Sequence, residues 1–333
     1  MLLTQKVNEE MMFVSILSIE NLKTYFFTKK GIVRADDDIS FGLRKGELLC
    51  IVGESGSGKT VTALSILRLV ENPGKIIEGR IILEGENLLD LSPEKMQDVR
   101  GNKIAMVFQD PHSALNPIFT IGDQVSEAIT AHERCNKAEA SSRAAELLEL
   151  VGIPMAKERY YDYPHQFSGG MKQRVVIAMA LACHPRVLIA DEPATALDLT
   201  VQAQILDLFL ELRSRFEMSI IYITHDLGVV SEIADSIVVI YAGRIMEKGS
   251  NGDVLGDPMH PYTKGLMGCL PSEKGKIVPI PGTIPGLIKP PEGCVFHPRC
   301  VNVMNICRME RPPMTKIKDE HYVSCFLYGG VHG

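Results

Sequence analysis

The segment Gly53-Glu54-Ser55-Gly56-Ser57-Gly58-Lys59-Thr60 constrains this chain more than any other. It follows the apolar run Leu48 to Val52, which reads as a buried strand, and precedes a stretch with Leu64 and Leu67 on one helical face. Strand, glycine-rich turn and helix in that order give a loop whose backbone N–H groups point inward beside the positive end of a helix. Such a loop binds phosphate oxygens largely through main chain. Lys59 is expected at the outer phosphates and Thr60 at Mg²⁺. A Gly/Ser turn without function is the alternative, and it leaves the lysine, the threonine and the flanking elements without a reason.

Val187-Leu188-Ile189-Ala190-Asp191-Glu192 is an apolar strand closing on two carboxylates. Buried strands do not normally end on adjacent acids unless a cation or a reacting water uses them. Asp191 fits a Mg²⁺ partner and Glu192 a general base orienting the attacking water. A merely solvated strand end is the competing explanation. Between the two motifs lies Phe167-Ser168-Gly169-Gly170-Met171-Lys172-Gln173-Arg174, in which Ser168 reads as a helix N-cap with two glycines clearing space at the helix start. That is a second anion site, or a simple Ser-Gly-Gly helix entry.

Around these motifs, short Val/Ile/Leu runs alternate with helical patterns from about Ile16 to Gly249, as parallel strands with crossover helices require. Leu48 to Val52, Ile104 to Phe108, Val187 to Ala190, Ser219 to Thr224 and Ser236 to Tyr241 read as strands, whereas Thr120 to Gly152 reads as two helical stretches joined near Asn136 and Lys137. The expected fold is α/β, a phosphate-binding core at 16–249 with a helical insertion at about 110–165, followed by an irregular Pro/Cys-rich extension at 250–333. Eleven of the 19 prolines fall in that extension, so regular structure should be sparse there. With 35 basic and 41 acidic residues, net −6, there is no general attraction to nucleic acid. The longest apolar runs, such as Val175 to Cys183, are about half of the roughly 20 residues that a membrane helix needs. Acidic residues flank Met11 to Leu17, which argues against a secretory signal and for a cytoplasmic protein.

Ser168-Gly169-Gly170 with Gln173 and Arg174, placed shortly before the strand acids, resembles the signature motif of ABC ATPases. Gln109 then matches the family's Q-loop, Ala196-Leu197-Asp198 its D-loop and His225 its switch histidine, although a lone histidine is often only structural. The resemblance runs from about Leu17 to Cys325 and is strongest to ATP-binding subunits of dipeptide/oligopeptide importers, through phrases such as His260-Pro261-Tyr262-Thr263 and Cys294-Val295-Phe296-His297-Pro298-Arg299-Cys300. Ala194, Leu199 and Thr60 stand where those relatives often carry Thr, Val and Ser, and none of these changes removes a reactive group. The resemblance implies ATP hydrolysis with Glu192, His225 and Gln109 as catalytic residues. It implies nucleotide contacts from Gly53, Ser55, Gly56, Ser57, Gly58, Lys59, Thr60, Val61, Gln109, Asp191, Glu192 and His225, with Ser168, Gly170 and Asp198 serving the partner's nucleotide, and Mg²⁺ held by Thr60, Gln109 and Asp191. Adenine would stack on one of Tyr25, Phe26 and Phe27, with Phe26 favoured by position.

The same resemblance implies partners: a sister ATPase subunit facing this one head to tail, two transmembrane permease subunits seated on the helical insertion, and an extracytoplasmic peptide-binding protein. The place would be the cytoplasmic face of the inner membrane. Nickel import is the near alternative, since nickel importers share most of these phrases. A soluble ABC ATPase of DNA repair or translation is the alternative from another class, disfavoured by a single cassette without heptads. A redox regulator with a vestigial ATPase is opposed by the intact Lys59, Asp191, Glu192 and His225.

Cys294, Cys300, Cys307 and Cys325 have gaps of five, six and seventeen residues, which matches neither the common zinc spacing nor the bacterial ferredoxin run. By spacing, these are four thiolates for one metal, zinc included, or unrelated buried thiols. The importer resemblance implies a four-iron four-sulfur cluster on them, acting as a staple for a tail that cannot bury enough apolar surface. Cys50, Cys135, Cys183 and Cys269 read as packing residues.

Overall fold

A computed structural model describes residues 15–195, 197–269 and 279–329. The chain divides into two compact units, one from Met1–Leu89 with Ile223–Gly333 and one from Asp90–Tyr222.

In the first unit, Ser15–Thr28 and Gly31–Arg44 form a long antiparallel pair, and Gly74–Leu83 joins the other edge of Ser15–Thr28. Leu17, Ile19, Ile39, Phe41 and Leu43 point inward and are buried, as period-two alternation requires. The five runs expected as strands did not include these. Register shifts near Asn21 and Asp38, both with left-handed backbone, interrupt the alternation that would have revealed them. Leu48–Val52 is a strand with every residue buried, and it pairs in parallel with Ser236–Tyr241. A continuous apolar run is what a strand covered on both faces needs. From Ser236–Tyr241 the sheet continues antiparallel through Arg244–Ser250 to His321–Val323 and Thr315–Lys318.

In the second unit, Ile104–Val107 pairs in parallel with Val187–Asp191, and the strand Ser219–Thr224 begins in this unit and ends in the first. The helices Ile121–Thr130 and Lys137–Leu150 start where the sequence expects, at Thr120 and Asn136, whose side chains accept the N–H groups of Asp123 (3.2 Å) and Glu139 (2.9 Å). Ile121, Val125 and Ile129 on one helix and Ala140, Ala144 and Leu148 on the other are buried at four-residue spacing. Both helices pack on Gly169–Ala180. Each large apolar side chain buried in this way stabilises the unit by roughly 1.5–3 kcal/mol. Together the two units hold the expected α/β architecture: a mixed sheet, crossover helices and a helical insertion. Among the described residues no helix is long and apolar enough to cross a membrane.

The C-terminal extension meets one expectation and departs from another. Regular structure is sparse, with only the short turn His297–Arg299 over 279–304, though the extension holds the helices Asn251–Gly256, Pro261–Gly268 and Asn305–Met309 and contributes the strands Thr315–Lys318 and His321–Val323. It does not depend on a cluster for its core. The rings of Tyr241, Tyr262 and Phe296 pack with centroids 4.6, 5.2 and 5.3 Å apart. The buried Glu247 carboxylate accepts from the N–H groups of Met259 and His260, each at 2.8 Å, and lies 2.7 Å from His321 Nε2.

This corrects the expectation of a four-iron four-sulfur cluster, and of any metal ligation by these thiols. Among the described residues no group of three or more His, Cys, Asp or Glu is arranged to hold a metal ion. Cys294, Cys300, Cys307 and Cys325 are free thiols lining a cavity of about 10 Å³, shared with Phe296 and Pro312. Burial pushes the Cys294 thiol up to about 11 and raises Cys300 and Cys325, which favours the neutral thiol over the thiolate that a metal requires. Proline density misled because it measures backbone restriction rather than the apolar area an extension can bury against an existing sheet edge.

Candidate nucleotide site

The first unit carries the glycine-rich loop. Gly53 leaves Leu48–Val52 so close to its neighbour that a Cβ there would lie 2.1 Å from the Ile240 carbonyl oxygen. Gly58 has φ +114 and would place a Cβ 2.5 Å from the Ala35 carbonyl oxygen. Only glycine fits either position. Gly58 also begins the helix Lys59–Ile66, which no side chain caps, so its first turn presents backbone donors for an anion. Lys59 is buried and its ammonium donates to the carbonyls of Gly53 (2.8 Å) and Glu54 (3.1 Å), inside the loop. Thr60 is exposed beside it.

Behind this helix Asp36 Oδ1 accepts the Thr62 hydroxyl at 2.9 Å. Burial raises the Asp36 carboxyl to about 7, against the lowering effect of its hydroxyl neighbours. Of the three aromatic candidates, Tyr25 is engaged elsewhere: its hydroxyl donates to Asp37 at 2.8 Å and Arg34 lies over its ring. Phe27 is a little under half exposed, while the Phe26 ring lies close to Gly74. His225 is exposed at the end of Ser219–Thr224, and Asp226 caps the next helix through the Gly228 N–H at 2.8 Å.

The second unit brings Gln109 and Glu192 together. Gln109 Nε2 donates to Glu192 Oε2 at 3.3 Å and the Thr195 hydroxyl donates to the same oxygen at 3.1 Å. The strand before Gln109 stops at Val107, one residue short of the expected end, and leaves Phe108 partly exposed. Asp191 is buried as the last residue of its strand, and Glu192 follows it in left-handed backbone. The two adjacent carboxylates therefore sit in different surroundings.

Ser168 caps Gly169–Ala180, as expected, with its hydroxyl accepting the Met171 N–H at 3.3 Å. Gly170 has a packing reason of its own, since a Cβ there would meet Val201 Cγ1 at 2.6 Å. Arg174 donates to the Val151 carbonyl at 2.6 Å and to Gln204 at 3.3 Å. Asp198 caps Leu199–Phe216 by accepting the Val201 N–H at 3.0 Å. Ala196 of the expected D-loop lies outside the described residues.

Two side chains at the loop were not anticipated. Tyr262 and Arg299 both contact Glu54; each lies in a phrase shared with the importer subunits, but nothing local ties it to the loop, because the partner lies 208 and 245 residues away in sequence.

The ABC transporter family model matches residues 37–195, and the model for the C-terminal region of oligopeptide/dipeptide transporters matches residues 246–307. A dipeptide transport ATP-binding protein of Bacillus subtilis is 49% identical over 316 residues, covering 94% of both chains. An oligopeptide transport ATP-binding protein of the same organism is 50% identical over 317 residues, covering 94% of this chain and 88% of that one. Among solved structures, a dimeric ATP-binding cassette in a post-hydrolysis state with ADP and phosphate superposes with a TM-score of 0.64 at 27% identity, covering 71% of this chain and 98% of that one. A Clostridium perfringens subunit of an ABC transporter complex gives 0.62 at 28%, covering 73% and 92%. Identity near one half along almost the whole chain, on a loop and carboxylate pair of this geometry, places the protein in the ABC-transporter ATP-binding subunit family, alongside the dipeptide and oligopeptide transport members.

Proposed function

We propose that this ABC ATPase energises import of di- and oligopeptides, with residues 16–249 as the ATPase domain and 250–333 as a transporter-specific extension. The extension's match to the oligopeptide/dipeptide transporter region carries the substrate class, since the cassette alone serves many cargoes.

In this reading Gly53, Ser55, Gly56, Ser57 and Gly58 cradle phosphates with main chain, Lys59 turns from the Gly53 and Glu54 carbonyls to the outer phosphates, and Val61 extends the helix start. Phe26 stacks on adenine. Thr60, Gln109 and Asp191 offer hard oxygen donors of the kind Mg²⁺ takes, and such an ion supplies charge neutralisation at the phosphates. Glu192, steadied by Gln109 and Thr195, accepts the proton of the attacking water. His225 orients the reacting groups. Ser168, Gly170 and Asp198 face the nucleotide of a sister ATPase subunit, each chain supplying two half-sites.

Two permease subunits seat on the helical insertion, where Ile118, Phe119, Tyr161 and Tyr163 are exposed on segments joined by the hydrogen bond from Ile121 N–H to the Asp162 carbonyl at 2.8 Å. An extracytoplasmic binding protein delivers peptide, and the chain works at the cytoplasmic face of the membrane. Reconstitution with the sister subunit and permease tests this: peptide-loaded binding protein should stimulate ATP hydrolysis and drive peptide uptake. Stimulation by nickel and not by peptide would overturn the substrate class. The isolated chain should be monomeric and slow, and a fast homodimer in light scattering would refute heteromeric pairing.

A further inference from the structure

The phosphate loop is braced from the far end of the chain. Arg299 Nη1 donates to Glu54 Oε2 at 2.6 Å and Nη2 to Oε1 at 3.1 Å. The same guanidinium donates to the Pro281 carbonyl at 2.8 Å and to the Tyr241 hydroxyl at 3.3 Å. The Arg299 side chain is 5% exposed and that of Glu54 25%. Two-armed guanidinium–carboxylate pairs fix direction as well as distance. Meanwhile the Glu54 N–H donates to the Tyr262 hydroxyl oxygen at 3.0 Å, and the Tyr262 ring is fixed between Tyr241 and Phe296. Glu54 is thus held at its side chain and its main chain by the C-terminal extension, while its carbonyl accepts from Lys59.

We infer that Tyr262 and Arg299 are positioning residues for ATP: acting through Glu54, they hold the phosphate loop in its cradle shape before nucleotide arrives. The inference rests on the assignment of Gly53–Thr60 as the ATP site. A loop with glycines at 53, 56 and 58 loses much conformational freedom when it is ordered, so a brace that orders it beforehand raises affinity. The coupling is reciprocal: bound nucleotide must in turn secure the segment Phe296–Cys300.

MgATP titrated calorimetrically into the full chain, with amide exchange measured on the same samples, tests this. Tyr262→Phe should raise Kd about fivefold and Arg299→Lys about tenfold, the effect of one and of more than one hydrogen bond. Exchange at Glu54–Gly58 should quicken in both variants, and MgATP should protect Phe296–Cys300 less in Arg299→Lys than in the parent. A lowered melting temperature with unchanged Kd in both variants would mean that these residues only stabilise the fold, and would overturn the inference. Lys59→Ala separates the two levels. If it loses MgATP while the other variants keep parental affinity, the brace alone is wrong; if it binds like the parent, the site assignment falls and the brace with it. Should Arg299→Lys fail to fold, Tyr262→Phe, which deletes one hydroxyl, decides.

Discussion

Glu247 and His321 meet as a fully buried pair, Oε1 to Nε2 at 2.7 Å, joining the strand Arg244–Ser250 to the strand His321–Val323. Truncating Glu247 removes the acceptor for His321 and for the N–H groups of Met259 and His260 together. Glu247→Ala should therefore cost roughly 3–5 kcal/mol in urea unfolding, as loss of one partner from a buried pair does. A loss below about 1 kcal/mol would show that water replaces the carboxylate there.

Glu192→Gln keeps the shape of the proposed base and removes its charge. In assembled transporter with the matching change in the sister subunit, MgATP binding should persist and turnover should fall by about 10² to 10⁴. Full steady-state hydrolysis would remove Glu192 from the base role.

The adenine assignment is decided by three substitutions compared in one binding assay. Phe26→Ala should weaken MgATP binding by about 1 kcal/mol, the order of an aromatic stacking contact. Tyr25→Phe, which only releases the hydroxyl from Asp37, and Phe27→Ala should leave affinity near parental. If Phe27→Ala carries the loss instead, the neighbouring ring is the stacking one.

Mild acid should loosen the extension through His260. Burial pushes this imidazole down to about 3, and its Nδ1 accepts the Tyr262 N–H at 3.0 Å, a bond that protonation there destroys. A folded value below the unfolded one means that the unfolded chain binds more protons in the interval. The stabilising contribution is thus complete above about pH 6.5 and is lost at up to roughly 1.4 kcal/mol per pH unit as pH falls toward 3. Asp36, raised to about 7, acts in the opposite direction, its contribution being lost as pH rises from about 4 through 7. The informative quantity is the difference between parent and His260→Asn in chemical unfolding at several pH values. That difference should shrink on acidification, and a constant difference would exclude His260.

Gly122 is required by a neighbour rather than by its own backbone. A Cβ there would enter the Tyr160 ring at 2.2 Å, and the Tyr160 hydroxyl is fixed by Ser126 (2.8 Å) and Ser141 (3.1 Å). Gly122→Ala should destabilise by about 1–3 kcal/mol, and Gly122→Ala with Tyr160→Leu should recover part of it. A neutral Gly122→Ala would mean that the ring moves freely.

Local chemistry by itself determined the strand, loop and helix at Leu48–Ile66, the acids closing Val187–Asp191 and Glu192, and the capped helices of the insertion. In each case the deciding forces act within a few residues: a period, a cap, a glycine before a helix. Tertiary structure alone decided what joins distant residues. The bulged pairing of Ser15–Thr28 with Gly31–Arg44 hides its alternation from sequence. The extension gains two strands because Arg244–Ser250 offers an edge with unpaired backbone groups, and edge pairing plus ring packing supplies the stability that its prolines seemed to forbid. Cys294, Cys300, Cys307 and Cys325 line one small cavity, but among the described residues no metal-holding group forms, and burial favours the protonated thiols of Cys294, Cys300 and Cys325, which spacing could not reveal. The grip of Tyr262 and Arg299 on Glu54 is of the same kind, since hydrogen bonds and ion pairs depend on distance in space, which sequence separation does not encode.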